Sequence, residues 1–329
     1  MFLSRINRKI KSIWKGLVPV RDNFSVLSVL AAPGSAGRSL QRLAMPAQVK
    51  SAARKMGMAR PLLWVACPPG ELILDSLDFE ALVYQRTDRF EAFPNVDQEK
   101  IKAMDARLRQ RADLVLYCSR LLYEDEKLES KHAVFVDHGV DFDRFAEAGD
   151  AQDAEPEDVK GIAQPRIGFV GGIDAHTFDP ELFNEVVAQL PEMQFVLVGG
   201  CSLPDGWCSA SNVHFLGQKP YEQVATYMAA CDVLIMPWNN SDWIKACNPV
   251  KLKEYLATGR PVVSSPFDEL DQWKDEIRIA DNSADFAQAI MAAIEEGPQI
   301  GHREKVQEET WKAKAHAVRA ALAEQGIAW

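Results

Sequence analysis

Residues 248–263 read N-P-V-K-L-K-E-Y-L-A-T-G-R-P-V-V, and the order of these side chains carries chemistry. Asn248 as N-cap followed by Pro249 at the first helical position is a strong helix start. Gly259 supplies a left-handed C-cap, and Pro261 prevents continuation. Lys251 therefore falls in the first turn, where a cation opposes the helix dipole by about 0.3–1 kcal/mol. A bound anion reverses that sign: exposed amides from Val250 onward, together with one ammonium, make a phosphate site. Glu254, one turn deeper, can accept two hydrogen bonds from the vicinal hydroxyls of a ribose. On these residues alone, a solvated Lys251–Glu254 pair at i, i+3 explains the pattern at least as well.

The surrounding elements decide what such a helix would face. Short β-branched runs alternate with helical patterns along the chain, which predicts α/β architecture with parallel sheets. In the first half strands are expected at 25–32, 62–67, 81–86, 114–118 and 133–137, with helices near 39–56, 71–77, 97–111 and 120–129. In the second half strands are expected at 166–171, 194–199, 212–216, 232–237, 261–265 and 277–280. Helices are expected there near 179–190, 220–230, 249–258, 283–296 and 301–325. The acidic stretch 147–163 separates a domain at 1–146 from one at 164–300, and residues 301–329 form a helix expected to pack back on the first domain. Two such domains leave a cleft at the carboxyl ends of their strands, where parallel sheets bind ligands.

The 329 residues are 47% hydrophobic and 26% charged, the balance of a globular protein. The net charge of −10 argues against a nucleic-acid partner. The cysteines form no C-x-x-C pair, and buried reduced thiols are expected. With no run of about 18 apolar residues and no secretory signal, the chain is expected to be cytoplasmic. Residues 1–17 carry Arg5, Arg8, Lys9, Lys11 and Lys15 and no acid, with apolar residues at helical spacing. That is either a basic amphipathic helix suited to the anionic inner face of a membrane or a helix packed on its own domain.

The segment 248–263 resembles the nucleotide-binding segment of GT-B glycosyltransferases of the family 4 kind, in the branch of teichuronic acid and capsule biosynthesis. R-I-G-F-V-G-G-I-D at 166–174, F-V-L-V-G-G at 195–200 and the stretch 212–238 resemble further family segments. P-L-L-W-V-A-C-P, A-L-V-Y-Q-R-T-D-R-F-E-A-F-P and H-G-V-D-F-D-R-F match more loosely. The resemblance implies two Rossmann-like domains facing a cleft, the N-terminal one shortened. It implies a retaining transfer of a sugar from a nucleoside-diphosphate sugar to a glycan or glycolipid, with no metal, no cofactor and no protein nucleophile.

Carried over by position, Glu254 would hold the ribose and Lys251 the diphosphate. Gly171 and Gly172 would let backbone approach the phosphates, and Gly217 would line the base pocket. Asn248, Pro249 and Val250 form the donor-binding helix tip. His138 resembles a turn that touches the donor sugar, the alternative being a structural turn histidine. Asp88 is either a residue that positions an acceptor hydroxyl or a turn cap. Arg86 and Arg89 are either contacts for a phosphorylated lipid acceptor or exposed loop arginines. His176 and His214 are expected to be structural.

The sequence departs from the family pattern in three places. Ala246 stands where the family's first glutamate of E-x7-E belongs. Gly172 and the following A-H-T-F-D stand where basic residues are usual, and Lys251 and Lys245 are the available replacements. L-A-A-P-G-S-A-G-R-S-L, with Gly34 and Gly37, is the one substitute for the family's acceptor-side glycine loop. A degenerate relative that binds a nucleotide sugar or a partner enzyme without turnover is the rival reading. D-F-D at 141–143 imitates a metal motif, and neither G-S-A-G-R-S nor G-G-I-D-A-H fits a dinucleotide fingerprint.

Overall fold

The computed structural model describes residues 16–29, 34–151 and 155–328, with side chains between residues 34 and 42 left aside. Residues 1–15, which carry most of the basic N-terminal pattern, lie outside the described residues. Two parallel sheets and one hairpin organise the chain. The hairpin pairs β1 (Leu17–Arg21) with β2 (Phe24–Leu27) antiparallel. The strand expected at 25–32 thus belongs to this hairpin where it is described, because Asn23 takes a left-handed turn (φ 59°) that reverses the chain.

Helix α1 (Gly34–Lys55) follows and includes both Gly34 and Gly37, so those glycines lie in a helix and supply no phosphate-type loop. The first parallel sheet has the order β3 (Leu62–Val65), β4 (Ala81–Arg86), β5 (Leu114–Tyr117), β6 (Ala133–Phe135). Helices α2 (Gln98–Arg111) and α3 (Arg120–Glu126) start on side-chain caps from Asp97 and Ser119. Strands β4 and β5 are buried almost throughout, as continuous apolar runs covered on both faces should be.

The second sheet orders its strands β12-β11-β10-β7-β8-β9, with β7 (Arg166–Val170) between β10 (Val233–Met236) and β8 (Gln194–Val198). Chain order reverses between β7 and β10, which places a topological switch point at their carboxyl ends. The remaining strands are β9 (Val213–Gly217), β11 (Val262–Ser264) and β12 (Arg278–Ile279). Side chains of this sheet and its helices form the larger apolar core, centred on Phe169, Phe183, Phe195, Leu234 and Phe286.

The acidic stretch 147–163 does not run free between the sheets. Helix α4 (Phe142–Asp150) occupies its start and buries Phe145 in the second core. Further on, Glu155 pairs with Arg166 at 2.8 Å and Val159 is fully buried in the same core. The chain passes between the sheets earlier, over residues 137–142. It returns just before the C-terminal helix α11 (Trp311–Glu324), the eleventh among the described residues, whose Val318, Ala321 and Leu322 share a core with Val83, Leu116 and, just past β6, Val136. The helix expected over 301–325 is broken before Thr310, whose hydroxyl caps α11. Among the described residues no helix is long and apolar enough to cross a membrane.

Candidate active site

The donor-type helix spans Val250–Thr258 and ends on Gly259 in the left-handed conformation (φ 71°). Its start differs from expectation by one residue: Pro249 is the N-cap, and no side chain caps the helix. Asn248 instead donates from Nδ2 to Oε1 of Glu269 at 3.0 Å, so its amide is spent holding the following turn. That Asn248 lacks a capping role has a simple reason: Glu269 is buried and needs a donor. Burial pushes the Glu269 carboxyl up to about 7.

The helix tip packs at the switch point. Lys251 places its ammonium 4.5 Å from the ring centre of Phe169 on β7 and 5.2 Å from that of Trp238 just past β10. Among the described residues no carboxylate pairs with it, and burial pushes it down to about 8 against the weaker pull of Cys247, Glu254 and Asp174. A cation this desolvated with only ring faces for partners is unfavourable, and an anion arriving there would relieve it.

Gly171 continues β7 at φ 154°, and a Cβ there would lie 2.2 Å from the Lys251 Nζ. Gly199, at the end of β8 with φ 150°, is tighter still: its Cβ would lie 1.8 Å from the Gly171 carbonyl oxygen. The loops after β7 and β8 therefore meet through bare backbone. Gly172 faces Asp174, whose Oδ1 accepts from the His176 and Thr177 amides at 2.9 and 3.1 Å. Gly217 closes β9 at φ 69° with open space beside it, and its carbonyl accepts from the Gly199 amide.

Glu254 lies on the same helix. Burial raises its carboxyl to about 6 against the opposing pull of Lys251, and the Tyr221 hydroxyl stands 3.5 Å from its Oε1. Thr258, one turn further along the helix, is buried and donates to the Tyr255 carbonyl at 2.6 Å.

From the first sheet, Asp88 and His138 reach the same region. The Asp88 charge acts on the His138 imidazole and on the Cys247 thiol, and Lys251 acts on that thiol too. Burial holds the His138 imidazole below its ordinary value despite Asp88 and Asp137. Lys251, Glu254 and Gly171 thus share one end of the second sheet, and the Asp88 charge of the first sheet is felt at Cys247, four residues before Lys251.

Arg86 has a different place from either expectation. Its guanidinium is almost wholly buried, donating to the Asp88 carbonyl at 2.6 Å and to Glu126 and Glu91 at 3.1 and 3.2 Å. Arg109 shares Asp105 and Glu126 with it. Arg86 anchors the loop that carries Asp88 and is not available to a lipid phosphate; Arg89 pairs with Asp125 at 3.6 Å. Lys245 pairs with Asp242 at 3.1 Å and lines a recess of about 710 Å³ with Trp238, Asp268 and Asp271. Asp141 of D-F-D pairs with Arg144 at 2.8 Å. His176 packs against Trp243 and Phe93, 4.9 and 5.1 Å between ring centres, and His214 bonds Gln194 at 2.8 Å.

Ala246 is completely buried, and it joins the core of the first sheet with Val65, Leu82 and Leu122. The position of the missing glutamate is therefore an apolar contact between the two halves. Sequence reading missed Lys253, Phe169 and Trp238. Two rings at the ends of adjacent strands cannot be seen as a pair until the strand order is known.

The fold is that of a two-domain GT-B protein, and residues 164–296 match the family model of glycosyl transferases group 1. The chain is similar to TuaH of Bacillus subtilis (strain 168), whose name assigns it to teichuronic acid biosynthesis as a glycosyltransferase. Identity is 29% over 233 residues, covering 63% of this chain and 55% of that relative, so the match spans little more than half of it. Among solved structures, sucrose-phosphate synthase from Thermosynechococcus elongatus superposes with a TM-score of 0.70 at 19% identity, over 94% of this chain and 85% of that one. Anabaena Alr3699/HepE in complex with UDP-glucose gives 0.67 at 15% identity, over 89% and 90%.

Proposed function

We propose that this protein is a glycosyltransferase that takes a sugar from a nucleoside-diphosphate donor and passes it to a glycan or glycolipid hydroxyl with retention of configuration. One observation carries the reading: the Lys251 ammonium sits unpaired on two ring faces at the switch point, against the bare backbone of Gly171. It is a cation awaiting an anion, one turn from a carboxylate. The diphosphate would rest on the helix tip at Pro249 and Val250 and against Gly171 and Gly172, with the base toward Gly217 and the ribose hydroxyls on Glu254. Asp88 and His138 would face the sugar and acceptor from the other sheet.

In the step itself the bond from the sugar's anomeric carbon to the phosphate oxygen breaks and one to the acceptor oxygen forms on the same face. The acceptor's proton passes to the departing phosphate, whose growing charge Lys251 and the helix amides stabilise. No metal is required by this scheme. Residues 1–17 would hold the enzyme at an anionic membrane surface, where a lipid-linked acceptor is met. A second reading draws on Ala246: with an apolar contact in place of a carboxylate, the chain would bind a nucleotide sugar, or a partner enzyme, without turning it over.

Calorimetry with UDP, GDP and ADP, followed by product analysis with UDP-glucose, tests both. Binding and release of UDP from UDP-glucose support the transferase, and binding without turnover of any sugar nucleotide supports the second reading. Absence of nucleotide binding overturns the transferase and leaves, of the second reading, only a partner enzyme, which co-purification with that enzyme would have to show.

A further inference from the structure

Lys253 is only 2% exposed, yet it lies on the donor-type helix between Lys251 and Glu254. A buried ammonium must be paired, and each of its partners comes from outside the helix. Its Nζ donates to Oδ2 of Asp137 at 2.6 Å, to the His138 carbonyl at 2.7 Å and to Oε2 of Glu309 at 2.6 Å. Asp137 and His138 belong to the segment that leaves the first sheet, and Glu309 to the segment that returns to it. These two crossings lie side by side: the Val140 amide donates to the Glu309 carbonyl at 2.9 Å, and Val140 bridges Thr310. A Cβ on Gly139 would lie 2.5 Å from the Trp311 backbone nitrogen, so nothing but hydrogen separates them. Lys314 completes the cluster on Asp137 and Glu309, giving two cations and two carboxylates.

We infer that Lys253 is a positioning residue: it ties the donor helix to both interdomain crossings and so fixes Asp88 and His138 of the first sheet over the nucleotide site of the second. The ammonium makes no contact with the nucleotide as placed under the proposed function, on which only the turnover part of this inference rests. Its effect is on alignment, which turnover needs and nucleotide binding to one sheet does not.

Lys253→Met is the test, in the full chain. Lys314 still reaches both carboxylates in that variant, so each keeps one cationic partner although one negative charge is no longer balanced. By hydrogen exchange, the amides of residues 137–142 and 309–313 should exchange about tenfold faster, with those of β7, β8 and β10 unchanged. Lys253→Arg should restore protection, since a guanidinium can reach the same oxygens. The Kd for UDP should move less than about threefold while UDP release from UDP-glucose falls at least about tenfold. Should Lys253→Met fail to purify, Glu309→Gln carries the same exchange test by removing one partner. Unchanged exchange at the crossings, or faster exchange spread over the whole second sheet, overturns the inference. If the wild type binds no UDP, the proposed function falls, and the exchange experiment still decides the coupling.

Discussion

Replacing Lys251 by Met should make the protein more stable and weaken its hold on a nucleotide. The ammonium moves from an ordinary 10.5 to about 8 in the folded protein, a penalty of about 3 kcal/mol against the charged form. Water still reaches part of the side chain, so about 2 kcal/mol is the realistic share. Methionine keeps the aliphatic contact with Phe169 and Trp238 and removes the charge. For a domain of this size about 2 kcal/mol corresponds to a rise in Tm of about 4–8 °C.

The sign with pH follows from linkage. The folded state releases the Lys251 proton near 8 and the unfolded chain near 10.5, so between those values the unfolded state binds more protons and stability rises with pH. The gap between the two proteins should therefore be full at pH 7 and close as pH approaches about 10.5, other groups titrating alike in both. With UDP at saturation the gap should close or reverse, because the wild type gains more ligand stabilisation by the difference in affinity. The loss of affinity should be about 2–3 kcal/mol, or about 30- to 150-fold. Calorimetric melts at pH 7 and 9.5, with and without UDP, measure all of this. A Lys251→Met protein that melts at or below the wild type at pH 7, or that binds UDP as tightly, would refute the reasoning.

Three further changes have defined outcomes. Affinity for UDP-glucose should fall below pH 6, where Glu254 takes up its proton, and Glu254→Gln should bind about tenfold more weakly with that pH dependence gone; titration calorimetry at pH 5 to 7 reads both. Ala246→Glu should not supply the absent family carboxylate but should destabilise the protein by at least about 3 kcal/mol, since it forces a charge among Val65, Leu82 and Leu122; a lower urea midpoint is the readout. Arg86→Met should cost about 3 kcal/mol by leaving Arg109 as the one guanidinium against the buried Asp105 and Glu126, with Arg86→Lys recovering only part of it in the same urea titration.

Both parallel sheets were legible, for physical reasons. Strands such as R-I-G-F-V and D-V-L-I-M are buried on both faces, so they read as unbroken apolar runs bounded by Gly and Pro, and each lies within a residue or two of expectation. In the first half, S-V-L-S-V-L-A-A has the same look but forms a hairpin where described, because a left-handed Asn23 turns the chain before the run can join a sheet. The acidic composition of 147–163 suggested an open linker, yet Phe142, Phe145 and Ala148 seat helix α4 on the core and carry the start of that stretch with it.

At the site, the helix tip, Gly259 and the spacing of Lys251 and Glu254 were readable from local rules. What surrounds them was not. Asn248 is a plausible cap by type but is claimed by Glu269, 21 residues later. Arg86 and Lys253 look like surface cations in one dimension, and only the pairing of distant carboxylates explains why they can be buried.

The contact between Gly199 and the Gly171 carbonyl has a consequence for how donor preference can change. There main chain presses on main chain, with no side chain to exchange and no room to add one; under the proposed function this would be the floor of the donor site. A family built on this fold cannot retune that surface by substitution. New preferences have to be written into the walls, in the loop 239–247 and the segments that Asp88 and His138 bring from across the groove, while the floor stays the same.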